Sequence, residues 1–189
     1  MTAIKPGVRT IGLDDGPFDR RSRGDVLVVG AIYRGADFDG LLTTRVRKDG
    51  WNATDAIASM LLRSKFLAQL HYIMLDGIAF GGFNVVDIDR LHRETGLKLL
   101  VVVRRRPDLA AVKRAVMHLP LPEKRLALIA SAGEIVPIDK LFCQMKGMQP
   151  EEAKALLRLT CTRSHLPEPL RAAHLIAGGV ILGQSGRRA

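Results

Sequence analysis

The sequence predicts an α/β fold: one domain over residues 1–189, built on a five-stranded mixed sheet flanked by helices, with a C-terminal α/β extension. Three observations carry this. Two apolar runs, Val8-Arg9-Thr10-Ile11-Gly12-Leu13-Asp14 and Tyr72-Ile73-Met74-Leu75-Asp76, end abruptly in an acidic residue with a turn behind it. Such runs read as buried strands that deliver a carboxylate to the sheet edge. Beyond Asn52, strand-like runs alternate with helix-length segments, as crossovers between parallel strands require. A chain of 189 residues with 47% hydrophobic content is large enough to close a core without covalent staples.

The first three strands follow as a meander. Asp19-Arg20-Arg21-Ser22-Arg23-Gly24 is a charged turn, and the next nine residues, 25–33, are rich in β-branched side chains. A turn over 34–40 leads to a third strand over 41–48, whose alternating second half suits an exposed edge. A helix then opens near Asn52 or Thr54, either of which is a candidate N-cap, with Ile57, Met60, Leu61 and Leu67 on its apolar face. The strand ending at Asp76 follows, then a helix capped by Asn84 and stopped by Gly96. Residues 97–103 form the fifth strand, so apolar that both of its faces must be covered. A third helix covers 108–118. The remainder reads as an appendage: a helix over 123–131, short strands at 134–137 and 141–145, a helix over 150–159, a last helix from 167 to Gly178-Gly179, and a basic, mobile tail over 183–189. A meander followed by right-handed βαβ crossovers has few compact solutions, and the ribonuclease H-like arrangement is the commonest. In it the first, fourth and fifth strands are parallel neighbours whose carboxyl ends share one edge.

Composition narrows the partners. Twenty-nine Lys and Arg against 19 Asp and Glu give a formal charge of +10, which favours polyanions and gives weak support for nucleic acid. Cys143 and Cys161 have no close spacing, no partnering His cluster and no secretory leader, so a reducing, cytoplasmic setting without a disulfide is expected. No apolar run approaches the roughly 20 residues needed to cross a bilayer, and no membrane role is expected. The Gly-rich loop over 77–84 lacks the Gly-x-Gly-x-x-Gly order of a dinucleotide site, and the five histidines lack metal-ligand spacing.

The shared carboxyl edge would collect Asp14, Asp15 and Asp76, with Asp87 nearby, while Arg104-Arg105-Arg106 leaves it from the fifth strand. On neighbouring parallel strands Asp14 and Asp76 would stand about one strand spacing apart, roughly 5 Å. Two carboxylates that close repel unless a cation sits between them. Carboxylates beside arginines match phosphodiester hydrolysis: the acids hold one or two Mg²⁺, with Mn²⁺ as a substitute, and the cations position backbone phosphates. Asp55, in the first turn of its helix, reads as an acid stabilising the helix dipole or as a third ligand. Asp87, three residues after Asn84, reads as part of a cap or as a ligand, and Asp15 as a turn residue or a supporting acid. Trp51 is more readily partial core cover than a base-stacking platform.

Ile11-Gly12-Leu13-Asp14-Asp15-Gly16-Pro17-Phe18, Leu75-Asp76-Gly77-Ile78, Gly82-Phe83-Asn84-Val85-Val86-Asp87 and Pro167-Glu168-Pro169-Leu170-Arg171-Ala172-Ala173-His174 together resemble the endonuclease dU family, a largely archaeal group distantly similar to endonuclease V. The resemblance implies a ribonuclease H-like fold and a Mg²⁺-dependent endonuclease acting on DNA, single strands included, at or near deaminated bases such as deoxyuridine, in DNA repair. By position it implies Asp14, Asp55 and Asp76 as metal ligands, and gives Arg171 and His174 candidate supporting roles. The loop after Asp76 departs from endonuclease V, and no base-sensing wedge is recognisable. There a flipped base is expected to stack on Phe80 or Phe83 and bond to Asn84 or to the backbone of Gly81 and Gly82. The alternatives are a non-catalytic nucleic-acid-binding protein that keeps the fold, and a phosphatase or nucleotide-binding protein using the same acidic edge.

Overall fold

The computed structural model describes residues 4–19, 21 and 24–186. Arg20, Ser22 and Arg23 of the charged turn, and the last three residues of the basic tail, lie outside the described residues. Strands β1 (Arg9–Asp15), β2 (Asp25–Arg34) and β3 (Asp37–Arg47) form the antiparallel meander. Then come α1 (Ala53–Leu62), β4 (Tyr72–Asp76), a two-stranded hairpin of β5 (Ala79–Phe80) and β6 (Asn84–Val85), α2 (Ile88–Thr95) and β7 (Lys98–Val103). The rest is α3 (Leu109–Val116), α4 (Pro122–Ser131), β8 (Val136–Ile138), β9 (Leu141–Lys146), α5 (Pro150–Thr160) and α6 (Glu168–Leu182).

The sheet has seven strands in the order β3-β2-β1-β4-β7-β9-β8, not five. As expected, β1, β4 and β7 are parallel neighbours. The difference lies at the far edge. An apolar β7 left as an edge would carry a row of unpaired backbone groups, and β9 removes them by pairing antiparallel along it, with β8 folded onto β9. The C-terminal third is therefore no appendage; it completes the sheet and covers one of its faces.

Side-chain alternation divides the strands between two cores. Ile11, Leu13, Ile73, Leu75, Leu99 and Val101 point to one face, against Ile57 and Leu61 of α1 and Leu91 of α2. Tyr72, Met74, Leu100 and Val102 point to the other, against α5 and Leu170 of α6, and Val29 and Ala31 meet Ala173 and Ala177 there. Gly12 lets α6 lie flush on β1: a Cβ there would stand 2.3 Å from the backbone carbon of Pro169.

Three local expectations change. The α2 cap is Asp87, whose Oδ1 accepts from the Arg90 N–H at 2.8 Å, not Asn84. Asn84 instead serves α1, its Oδ1 accepting from the Ala53 N–H at 2.9 Å. Leu67 lies in a separate 3₁₀ turn, Leu67–Gln69, after α1 has ended. Gly96 does close α2, in the left-handed region at φ 70°. Both cysteines are free thiols, and among the described residues no helix is long and apolar enough to cross a membrane.

Because the atoms that an added methyl would meet are backbone, Gly12→Ala cannot be absorbed by a side-chain rotation. We expect it to cost about 1–3 kcal/mol of stability, seen as a lower urea midpoint with unchanged slope.

Candidate active site

The register that pairs Leu13 with Leu75 sets Asp14 and Asp76 at the next position of two adjacent parallel strands, both on the α6 face. Asp14 is buried. Its Oδ2 accepts from Nδ1 of His174 at 2.8 Å and its Oδ1 from the Asp15 N–H at 2.9 Å. With Asp14 ionised, the proton on that imidazole nitrogen is fixed by this bond. Asp15 turns away, and its Oδ2 accepts from the Gly81 N–H at 2.5 Å, tying the β5–β6 hairpin to the end of β1. Arg104, the first residue past β7, brings Nη2 to 3.8 Å from Oδ2 of Asp76. These residues, with Gly16, Pro17 and Phe18, line an open pocket of about 390 Å³.

The electrostatics of the pocket are those of crowded anions. Burial, then the charge of Asp14, pushes the Asp76 carboxyl up to about 6, and Arg104 and His174 only partly offset this. Burial also raises Asp14 against the opposing hydrogen bond from His174, and raises Asp15 against the bond from Gly81.

Asp55 does not join them. It projects from α1, on the sheet face opposite to Asp14 and Asp76, and pairs with Nη2 of Arg90 at 2.6 Å with its side chain 59% exposed. Among the described residues no three His, Cys, Asp or Glu side chains are grouped so as to share one metal ion. Asp87 is spent as the α2 cap, and Arg171 is engaged by Glu168 through contacts of 2.7 and 3.0 Å. Of the three consecutive arginines only Arg104 reaches this pocket; Arg105 is exposed and Arg106 lines a second cavity.

The glycine loop is also built differently from expectation. Phe80 is wholly buried in the core, and Asn84 is buried with its amide committed to Ala53, Arg47 and Asn52, so neither faces a base. Gly82, at φ 90°, passes so close to Asp49 that a Cβ would meet Oδ1 at 2.3 Å, and the same oxygen accepts from the Phe83 N–H. Phe83 is half-buried at the second cavity.

Arg125 organises this region, and the sequence shows no sign of it, because it sits in a helix that reads as an ordinary charged surface. It is 1% exposed, donates to the carbonyls of Asp49, Gly50, Phe83 and Pro120, and stacks on Trp51 at 4.2 Å from the ring centre.

The sequence profile of the endonuclease dU family matches residues 6–181. The chain belongs to that family. A UPF0215 protein of Methanothermobacter thermautotrophicus is 49% identical over 96% of this chain and 92% of its own length. A protein of unknown function from Archaeoglobus fulgidus, solved as a crystal structure, is 40% identical and superposes with a TM-score of 0.87 over 92% of this chain and 98% of its own. Endonuclease V of Bacillus subtilis is 11% identical but superposes at 0.61, over 93% and 82% of the two chains. The Ciona intestinalis enzyme, in complex with a 24mer DNA containing an inosine, is 14% identical and superposes at 0.55 over 88% and 82%. At those identities the endonuclease V likeness is one of fold, which the family shares: a mixed sheet flanked by helices.

An acid whose folded pKa is raised destabilises the fold when ionised, in full above the folded pKa and not at all below the unfolded one. Lifting Asp76 from 3.8 to about 6 corresponds to about 3 kcal/mol at neutral pH. Asp76→Asn should therefore be more stable than the parent by about 2–3 kcal/mol at pH 7.5, with the difference closing between pH 6 and 4 in urea titrations.

Proposed function

We propose that this chain is a metal-dependent endonuclease that hydrolyses phosphodiester bonds of DNA at or near deaminated bases, deoxyuridine foremost, as a single-domain, cytoplasmic repair enzyme with a ribonuclease H-like fold. One observation carries the reading: two carboxylates at the ends of neighbouring parallel strands, where burial and then the charge of Asp14 lift Asp76 to about 6, face an open pocket with an arginine at its lip. Such a pair is costly in an apoprotein and well suited to a divalent cation.

The donor set fits Mg²⁺ in its usual protein setting, where one or two carboxylates hold the ion and water and substrate phosphate complete the shell. Asp14 and Asp76 would hold it, and Asp55 is not among its ligands. When bound, the ion supplies an activated water and neutralises charge on the phosphate. The residues of the chain do the rest. Arg104, a planar bidentate donor, orients a strand phosphate at the lip. His174, held by its bond to Asp14, presents an imidazole that can pass a proton to or from a group bound in the pocket. Asp15 holds the hairpin against the end of β1, so that the pocket wall stays in place.

DNA as the substrate is supported by the endonuclease dU assignment, by the fold shared with DNA-bound endonuclease V and by the formal charge of +10. A second reading, a non-catalytic nucleic-acid-binding protein, draws on the engagement of Asp55 with Arg90, which leaves two acids where three were expected.

End-labelled oligonucleotides carrying uracil, hypoxanthine or xanthine, incubated with Mg²⁺, decide between them. We expect strand cleavage favouring uracil, lowered by about 100-fold or more in Asp14→Asn and Asp76→Asn and by less than about threefold in Asp55→Asn. Absence of metal-dependent cleavage by the parent would support the binding protein. Independently of activity, Mg²⁺ should raise the thermal midpoint of the parent protein by a few degrees and leave that of Asp76→Asn unmoved.

A further inference from the structure

The β8–β9 hairpin borders a smaller hollow, of about 310 Å³, on the face of the sheet that α5 and α6 cover. Because Phe142 stands opposite Val103, the Asp139-Lys140 turn of that hairpin lies past the carboxyl end of β7, where Arg104 leaves the sheet. The hollow is therefore on the carboxylate edge, and β9 lies two strands from β4, roughly 10 Å along it. Its floor is apolar: Ile138, Leu141 and Leu157 are buried there. Its rim is basic, made by Lys140, Arg158 and His165, all exposed. Nζ of Lys140 stands 3.1 Å from Nε2 of His165, and among the described residues neither Lys140 nor Arg158 has a carboxylate partner. The acid of the wall, Asp139, is turned to Lys154 at 3.6 Å.

We infer that this hollow holds a backbone phosphate of the bound DNA strand, with its sugar, a few nucleotides from the bond held at Asp14 and Asp76. The inference rests on the nuclease reading for the identity of the strand; the chemistry of the site comes from its rim and floor. Basic groups gathered while the neighbouring acid points elsewhere are the converse of the paired aspartates, and an anion is what relieves them. A free inorganic phosphate needs polar partners on every side, and the floor offers it only carbon. A phosphodiester suits both parts, its anionic oxygens on the rim and its deoxyribose over Ile138 and Leu141. Such a contact carries no base preference; it fixes register. Arg104 and this rim then grip the strand at two points on one side of the cut, so that β7 and β9 set where the scissile bond lies over the carboxylates.

Strand affinity measured by fluorescence anisotropy in EDTA, where nothing is cut, tests this. The probes are single-stranded, uracil-containing oligonucleotides in which one phosphate at a time is replaced by a neutral methylphosphonate. We expect Lys140→Ala combined with Arg158→Ala to lower affinity by about tenfold or more at an unchanged thermal midpoint, and to flatten the slope of log affinity against log salt by about 1–2. A methylphosphonate position that weakens binding to the parent should no longer weaken binding to this variant. Arg63→Ala combined with Lys65→Ala removes equal charge just past α1, and should leave affinity within about threefold and the positional profile unaltered. Affinity of the first variant within about twofold of the parent, equal losses in both variants, or a profile that the first variant does not alter would overturn the assignment. So would displacement of the strand by inorganic phosphate at an equal concentration of phosphate groups, which makes the hollow a free-anion site. The two readings fail separately. Cleavage by a parent whose affinity ignores this rim sinks the subsite alone, whereas rim-dependent binding without cleavage sinks the nuclease and keeps the subsite.

Discussion

The parallel pairing of β1 with β4 is the constraint on which the rest of this molecule depends. It brings together strand positions 62 residues apart in sequence in a register that ends each in an aspartate, on the same face. Neither carboxylate can move off without breaking the ladder that positions it. Their repulsion is therefore built in, and the surroundings answer it with His174 from α6 and Arg104 from the end of β7. Both are partial answers, as the raised Asp76 shows. A site that holds like charges together at a cost to stability is the kind of local conflict that folds retain for chemistry.

Arg125 solves a different problem with comparable means. A buried guanidinium is expensive unless its donors are met, and here the carbonyls of three loops and the face of Trp51 meet them, with the Asp49 carboxylate near enough to favour the charge. The result is a joint between the turn after β3, the β5–β6 hairpin and the start of α4. It lets α3 and α4 stand over the carboxyl edge with little core of their own, and the large apolar cavity is what that arrangement leaves beneath them.

The meander, the two Asp-terminated strands and the three parallel neighbours were legible because each leaves a local mark: β-branched runs, abrupt acidic ends, helix-length gaps. Asp14, Asp76 and Arg104 followed from those marks. Asp55 did not, because its distance along the chain is compatible with either face of the sheet, and only the side on which α1 packs decides. Asn84 looked like a cap and is one, but for the helix before it, a pairing across 31 residues that no short pattern announces. Strands β8 and β9 were visible as apolar pieces; their membership of the main sheet depended on β7 needing a neighbour. Arg125 and the cavity arise from tertiary packing between loops and have no counterpart in periodicity.

The contact between His174 and Asp14 joins residues 160 positions apart. The two aspartates are placed by β1 and β4 alone, whereas the imidazole and the helix that covers them come from α6. The pocket becomes complete only once α6 has been made and has packed on β1. A chain interrupted before Glu168 therefore carries the acids of the site without the imidazole and the helix that finish it.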